Sequence, residues 1–164
     1  MEKNKKRPVS VTKDNRVFTL DVFLFSGDVS KIFLKENKVV SRTIEIRGNQ
    51  TLEDLHGCIF KAFNRFEEHF YEFQFGGKGP DDPAAKRYVL PAAENKDTYG
   101  DLTKTTIGSI GLKVGDIFGY IFDYGDNWQH QIDVVTITES TSAKRYPRII
   151  KQVGQSPPQY RDDE

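Results

Sequence analysis

A dense group of polar and aromatic residues occupies positions 122–131, which read FDYGDNWQHQ. The segment holds two carboxylates, Asp123 and Asp126, the imidazole of His130, and the only tryptophan of the chain, Trp128. Carboxylates and imidazoles act as general acids and bases or bind metal ions, and tryptophan stacks on planar ligands. The same composition is typical of a β-hairpin, so the segment has both a functional and a structural interpretation.

A second imidazole and a further carboxylate lie upstream, at His69 and Glu72 in EEHFYEF. If tertiary packing joined His69 to His130 and Asp123, these groups would form a nitrogen and oxygen ligand set suited to zinc, manganese or iron. The candidate catalytic carboxylates of such a metal-dependent hydrolase are Glu72, Asp123 and Asp126. The spacing does not itself require this site. No cofactor is predicted, and a divalent metal ion stays open as an alternative.

Composition narrows the function classes. Lys plus Arg and Asp plus Glu each number 24, so the formal net charge is zero and no bulk attraction to nucleic acid or to an acidic membrane follows. Cys58 is the single cysteine, which excludes an intramolecular disulfide and fits a reducing cytoplasm. No apolar run approaches the ~18 residues of a membrane span. We therefore expect a cytoplasmic protein without membrane contact, with nucleic acid as the weakest partner class.

Periodicity indicates the elements that position these residues. Alternating β-forming residues predict strands at 17–25, 39–46, 71–75, 117–124 and 128–138. The clearest helix starts at Thr51, which has capping-box spacing to Asp54 and is followed by apolar residues at helical intervals. These residues are Leu52, Leu55, Ile59, Phe63 and Phe66. We expect the helix to span about 51–66.

Several features of the remaining chain are also interpretable. Within the helix, His56 is expected at the rim of the apolar stripe, and Gly57 indicates a close packing contact. Residues 31–34 fit either a short strand or a helical turn. Residues 76–100 are polar and turn-rich, which is typical of a long functional or mobile loop, and a short helix is expected within 102–110.

The register of the hairpin decides which of its side chains are available for chemistry. A three-residue loop at 125–127 would set Tyr124 opposite Trp128 and collect the aromatic residues and His130 on one face. A two-residue loop would instead set Asp123 opposite His130, but would mix aromatic and polar residues on both faces. We therefore predict the three-residue loop, which turns the aromatic residues and His130 toward the core and leaves Asp123 and Asp126 free.

Four stretches of the chain, taken in order, resemble one known protein family. They are TLEDLHGCIFKAF in the predicted helix, HFYEF at 69–73, DIFGYIFDYGDNWQHQIDV at 116–134 and YPRIIKQVGQSPPQY at 146–160. They resemble the T-L-x-D-L-H, H-L-x-E-F, F-x-Y-x-Y-D-F-G-D-x-W-x-H and Y-P-x-x-x-x-G-x-x-x-P-P-E-D motifs of the plasmid ORF-three-like family. That family is named after the third open reading frame of an agrobacterial root-inducing plasmid.

The resemblance implies an α+β fold with a curved, mostly antiparallel sheet, one main helix (about 51–66) packed on it and a C-terminal hairpin (about 117–137). It implies a prokaryotic protein and no particular activity. By motif, the positions that carry over are His69, Glu72, Asp123, Gly125, Asp126, Trp128 and His130. Gln159 and Tyr160 stand where the family has an acidic pair, so no role of those acids carries over.

The expected organisation is a disordered basic tail (1–15), a single domain (16–160) and a frayed C-terminus (161–164). The chain lacks the HExxH, GxSxG, Walker and dinucleotide signatures, which favours a binding or accessory module of unknown ligand over an enzyme. Trp128 and Tyr124 are the candidate ligand-binding residues of such a module. The metal-dependent hydrolase is the second hypothesis, and weak nucleic-acid binding through the basic tail is the third.

Overall fold

The computed structural model describes residues 14–78 and 82–161, and its strands form one eight-stranded sheet. In chain order the strands are β1 (Arg16–Ser26), β2 (Ser41–Arg47), β3 (Tyr71–Phe75), β4 (Lys86–Val89), β5 (Gly100–Asp101), β6 (Ile117–Phe122), β7 (Trp128–Glu139) and β8 (Arg148–Val153). Their order across the sheet is β5-β4-β3-β6-β7-β1-β2-β8, and only β4 and β5 pair in parallel. This confirms the predicted α+β class with a mostly antiparallel sheet.

In the described part of the chain, two α-helices accompany the sheet: α1 (Lys31–Glu36) and α2 (Leu52–Ala62). The predicted capping box is confirmed, because the Thr51 hydroxyl accepts from the Asp54 backbone N–H and the Asp54 carboxylate accepts from that of Thr51. The helix ends at Ala62, earlier than the predicted residue 66. The chain turns at Asn64, whose φ is 53°, and the predicted stripe residue Phe66 is 71% exposed.

The hydrophobic core lies between α2 and one face of the sheet, which we call the inner face. Alternate residues of each central strand point into it, as expected for a sheet with one covered face. The inner face carries Phe18, Leu20, Val22, Ile44, Ile46, Tyr71, Phe73, Phe118, Tyr120, Phe122, Trp128 and Ile132. The opposite, outer face is more polar. The apolar stripe of α2 closes the core through Leu52, Leu55 and Ile59.

The hairpin between β6 and β7 has a five-residue loop at 123–127 instead of the predicted three-residue loop, because Phe122 pairs with Trp128. Asp123 leaves the strand with a φ of 62° and Asn127 enters the next with a φ of 54°, a conformation that Asp and Asn tolerate better than most residues. The pairing therefore differs by two positions, which leaves every strand residue on its predicted face. Tyr124, however, lies in the loop and is 45% exposed, so the prediction that it faces the core is wrong.

The structure also decides the segments that the sequence left open or described differently. The undecided segment 31–34 is helical and belongs to α1, and the predicted loop 76–100 contains β4 and a 3-10 turn at Pro91–Ala93. The short helix expected within 102–110 is a 3-10 turn at Ile107–Ser109. The edge strand β8 was not predicted.

The predicted tail and frayed end fall mostly on residues 1–13 and 162–164, which lie outside the described part of the chain. Within the described part, no helix has the length and hydropathy of a membrane span.

Candidate functional site

His130 lies in the core, and both of its ring nitrogens are engaged. Its Nδ1 donates to the Tyr120 carbonyl at 3.3 Å, and its Nε2 accepts from Nη2 of Arg65 at 3.0 Å. Burial lowers the pKa of His130 well below its ordinary value, and the neighbouring guanidinium of Arg65 lowers it further. A neutral imidazole held against a cation is not arranged as a metal ligand, so the structure places His130 in the packing network and not in the predicted metal site.

Trp128 is also a core residue, with 1% of its surface exposed. Gly27 packs directly on its six-membered ring, so closely that an added Cβ at Gly27 would overlap it. The indole therefore has no exposed face on which a ligand could stack. The burial of Trp128 does not support its interpretation as a ligand-binding platform and agrees with the alternative interpretation as a core residue.

Glu72 lies on the outer face, where Arg87 occupies its carboxylate. Nε and Nη2 of Arg87 donate to the two carboxylate oxygens at 2.8 and 2.9 Å, and the Gln74 amide donates at 2.9 Å. Burial raises the pKa of Glu72, but these hydrogen bonds outweigh burial and the pKa lies below its ordinary value. The half-exposed Tyr124 stands beside this pair. Glu72 is therefore a fully engaged carboxylate, which disfavours the catalytic role predicted for it.

Asp123 was expected to be free for chemistry, but it is 7% exposed and its carboxylate binds backbone groups of the turn that contains it. Its Oδ1 accepts from the backbone N–H groups of Gly125 and Asp126 at 2.9 and 3.3 Å. Its Oδ2 lies 3.6 Å from Nε2 of His69, so these two predicted residues do meet. Burial and the neighbouring Asp123 raise the pKa of the more exposed Asp126.

The nitrogen of His69 that faces Asp123 has two further neighbours. The Tyr160 hydroxyl lies 2.6 Å from it, and Oε1 of Glu67 lies 3.7 Å from it. Over residues 14–78 and 82–161, no group of three or more His, Cys, Asp or Glu side chains is arranged to hold a metal ion. The structure thus brings His69 to Asp123 but separates both from His130 and Glu72, and the predicted ligand set does not assemble.

Sequence reasoning missed a hydrogen-bond chain that runs from the core to the surface through His56. The Tyr120 hydroxyl lies 2.6 Å from Nδ1 of His56, and the Glu68 carboxylate lies 2.9 and 3.1 Å from Nε2. Burial raises the pKa of Tyr120 well above its ordinary value, so its hydroxyl stays protonated and donates to Nδ1. Nε2 then carries the imidazole proton and donates it in a hydrogen bond to Glu68.

His56 is buried and stacks on Tyr71, with ring centroids 3.5 Å apart and planes inclined by 6°. Burial lowers the pKa of His56, and Glu68 offsets part of that effect. The prediction of a rim position is wrong. The sequence did indicate burial of His56. Position 56 follows Leu52 by four residues and precedes Ile59 by three, and this helical spacing puts it on the buried stripe of α2.

An open cleft of about 700 Å³ lies between α2 and the segment that enters β3. We call it the α2–β3 cleft. It is lined by Glu53, His56, Gly57, Glu68, His69, Phe70, Tyr71 and Leu90. An added Cβ at Gly57 would meet nothing within 4 Å, so this glycine faces open space and does not mark the close contact predicted from the sequence.

The C-terminal segment supports one wall of this cleft. The Gln159 side chain, 4% exposed, accepts from the backbone N–H groups of Phe66 and Glu67 at 2.8 and 3.1 Å and donates to the Glu67 carbonyl at 2.7 Å. Tyr160 then binds His69 as described above. The two residues that replace the expected acidic pair thus hold the segment that carries Glu68 and His69.

Comparisons with known proteins agree with this fold. The family profile described as Plasmid pRiA4b ORF-3-like protein matches residues 30–161. The chain is similar to the crystal structure of a protein of unknown function from Methanosarcina mazei Go1, with a TM-score of 0.68 and 19% identity, over 88% of this chain and 72% of that chain. At this identity the likeness concerns the fold alone. No curated protein matches the chain.

Proposed function

The chain belongs to the plasmid pRiA4b ORF-3-like family, and from the geometry of its α2–β3 cleft we propose that it is a binding module for a small organic cation. One observation carries this proposal. The ionisable side chains that line the cleft are carboxylates, imidazoles and a tyrosine, and none of its described lining residues is a lysine or an arginine. A cation entering the cleft therefore meets attractive charges, and no repelling one, among the described side chains that line it.

The charges of the cleft act on its aromatic wall. Burial raises the pKa of Tyr71, and the nearby carboxylates of Glu53 and Glu68 raise it further, which reports a negative potential at this ring. Phe70, which is 48% exposed, presents a second ring at the mouth of the cleft. Aromatic faces attract ammonium and guanidinium groups, so the exposed ring of Phe70 adds to the attraction of the carboxylates. The ring of Tyr71 is buried against His56 and does not contact the ligand.

His56 positions the carboxylate on which the proposal depends. Its Nε2–H donates to Glu68, whose side chain is 60% exposed, and the stack on Tyr71 fixes the imidazole. Because the Tyr120 hydroxyl fixes the other nitrogen, the proton on Nε2 points to Glu68 and not into the core. The Glu68 carboxylate is thereby held over the cleft and still has lone pairs for a ligand.

The proposal is tested by NMR titration of the full chain with spermidine and with L-argininamide. We expect saturable shifts of the backbone signals of residues 53–57 and 68–71, weakened by added salt because the attraction is electrostatic. The Glu68→Gln variant should bind these cations roughly 5- to 10-fold more weakly, since it loses one charged hydrogen-bond partner.

The matched control is Glu36→Gln, which removes an exposed carboxylate on α1 outside the cleft. It should bind the cations as the unchanged protein does. If neither cation shifts the signals of the cleft at millimolar concentration, or if Glu68→Gln and Glu36→Gln behave alike, the proposal is wrong.

A cytoplasmic location is part of the proposal. Cys58 is a free, buried cysteine, and burial raises the pKa of its thiol to about 11, so the thiol stays protonated and unreactive. A chain that contains no disulfide suits a reducing compartment. Fractionation of the source cells, with an antibody against the chain, should recover it in the cytoplasmic fraction. Recovery from the medium or the envelope would contradict this location.

A further inference from the structure

A second depression lies on the outer face of the sheet, over the middle of β3, β6 and β7, and it is separate from the α2–β3 cleft. Its volume is about 110 Å³. Since one water molecule needs roughly 10–15 Å³ of such space, the depression has room for a small ring. Its lining includes Phe25, Gln74, Gly119, Ile121, Gln129 and Gln131.

Gly119 forms the floor of the depression, and the fold does not require a glycine there. Its φ lies outside the left-handed region, and an added Cβ would meet Gln74 Cβ at 3.7 Å, which is ordinary contact. A glycine inside a strand weakens the strand and often marks a place where a ligand approaches the backbone closely. The missing side chain at Gly119 creates the space above the sheet.

Gln74 and Gln131 flank Gly119 on the two neighbouring strands. Gly119 pairs with Gln74 on β3 and with Gln131 on β7, so the three residues form one row on the outer face. The two glutamine backbones are therefore about 10 Å apart, twice the spacing of neighbouring strands. Along β6, the neighbours on the same face are the apolar Ile117 and Ile121.

The amide groups of these glutamines have hydrogen-bonding capacity to spare. The Gln74 amide donates to Glu72 and that of Gln131 donates to Asp133, both at 2.9 Å, and neither side-chain carbonyl accepts a hydrogen bond from the described residues. Gln74 is only 8% exposed, so its carbonyl has little access to water other than through the depression. A ligand with donors on its edges would satisfy these acceptors.

Within the described residues, no charged side chain lines the depression. Two carboxylates border it, each bound to one of the glutamines: Glu72, which also pairs with Arg87, and Asp133. A charged ligand would therefore lose its hydration here without gaining a counter-charge from the lining itself. A glycine floor, apolar residues along the strand and amides on both sides together fit a flat, uncharged ring with polar edges.

We propose that this depression binds a small, neutral, planar heterocycle of the nucleobase class. One face of the ring lies on Gly119, two of its edges contact Ile117 and Ile121, and the other two edges hydrogen-bond to the side chains of Gln74 and Gln131. This site is independent of the cation proposed for the α2–β3 cleft, because the two lie on opposite faces of the sheet.

The test is NMR titration of the full chain with adenine, uracil and toluene, a flat ring without polar edges. We expect adenine or uracil to shift the backbone signals of residues 74, 119 and 131 saturably, and toluene to bind more weakly than either. Gln131→Leu, a change on the half-buried surface, should weaken binding of the base roughly 5-fold because it removes one hydrogen-bond partner. Gly119→Leu, which fills the depression, should abolish binding.

The matched control is Gly57→Ala, which changes a glycine in the other cleft and should leave base binding unchanged. Retained binding of spermidine by Gly119→Leu would show that this variant is folded and that the two sites are separate. The proposal is overturned if neither base shifts these signals, if toluene binds as tightly as the bases, or if Gln131→Leu binds them unchanged. It is equally overturned if the protein is a dimer that Gly119→Leu dissociates, since a second copy would then cover this face.

Discussion

His130 accepts a hydrogen bond from Arg65, with Nε2 and Nη2 3.0 Å apart in the core. The guanidinium is surrounded by the rings of Phe63, Phe122 and Trp128, and its Nη1 has no hydrogen-bond partner within the described part of the chain. Burial lowers the pKa of Arg65 to about 10. The pair is thus a desolvated cation stabilised by a neutral imidazole and by aromatic faces.

A double-mutant cycle on this pair should show strong coupling. His130→Phe leaves the Arg65 guanidinium buried without its acceptor, which we expect to lower the free energy of unfolding by about 2–4 kcal/mol. The double variant Arg65→Met/His130→Phe should lose less than His130→Phe alone, because it removes the desolvated charge together with its partner. Urea denaturation measures all four proteins. Additive effects of the two changes would contradict the coupling.

Stability should fall on mild acidification, because the folded-state pKa values of His56 and His130 lie below their ordinary value. Below pH about 6.5 the unfolded chain binds more protons than the folded one, so the free energy of unfolding falls by up to about 1.4 kcal/mol per pH unit and per histidine. Stability should be nearly constant above pH about 7. Urea denaturation between pH 5 and pH 8 measures this.

A variant of His130 separates this effect from other titrations. His130→Phe should flatten the acid-side slope, since the unfolded chain loses one proton-binding group that the folded chain does not use. A stability that is constant between pH 5 and pH 7 in the unchanged protein would contradict the expected burial of the two neutral imidazoles.

Gly57→Ala should stabilise the protein. Gly57 is an interior residue of α2 and its added Cβ would meet nothing within 4 Å, so the change removes the conformational freedom of glycine without a clash. The expected gain in the free energy of unfolding is about 1 kcal/mol, measured by urea denaturation.

The matched control for this change is Gly27→Ala. Its added Cβ would overlap the ring of the buried Trp128, and the cost of overpacking is about 1–3 kcal/mol. The same substitution should therefore have opposite signs at the two glycines. Equal destabilisation of both variants would contradict the open space that the structure shows beside Gly57.

Gln159→Glu should destabilise the chain at neutral pH. The amide N–H that donates to the Glu67 carbonyl would be replaced by a carboxylate oxygen facing that carbonyl. A buried acceptor facing another acceptor costs about 1–3 kcal/mol. We expect this loss by urea denaturation at pH 7, and a smaller one near pH 4, where a protonated carboxyl can donate. Tyr160→Phe, which keeps the Gln159 contacts, is the control, and an equal loss in both variants would contradict this assignment.

The sequence by itself determined the features that depend on neighbours along the chain. The capping box of Thr51 and Asp54 spans one helical turn. The alternation of apolar and polar residues in 117–122 and 128–134 assigns each side chain to a face of the sheet for any loop with an odd number of residues. For this reason the inner positions of His130 and Trp128 were predictable, although the loop has five residues and their cross-strand partners were not.

Only the tertiary structure decided which polar groups meet. Arg65 and His130 are 65 positions apart, and Tyr160 and His69 are 91 apart, so no local pattern reports these contacts. The sequence also does not show that Gly57 and Gly119 face open space. A glycine indicates a binding site only when the space beside it is known to be open, and that space is visible only in the tertiary structure. Chemistry at a site requires side chains brought together across the chain, and periodicity specifies faces but not the partners that face one another.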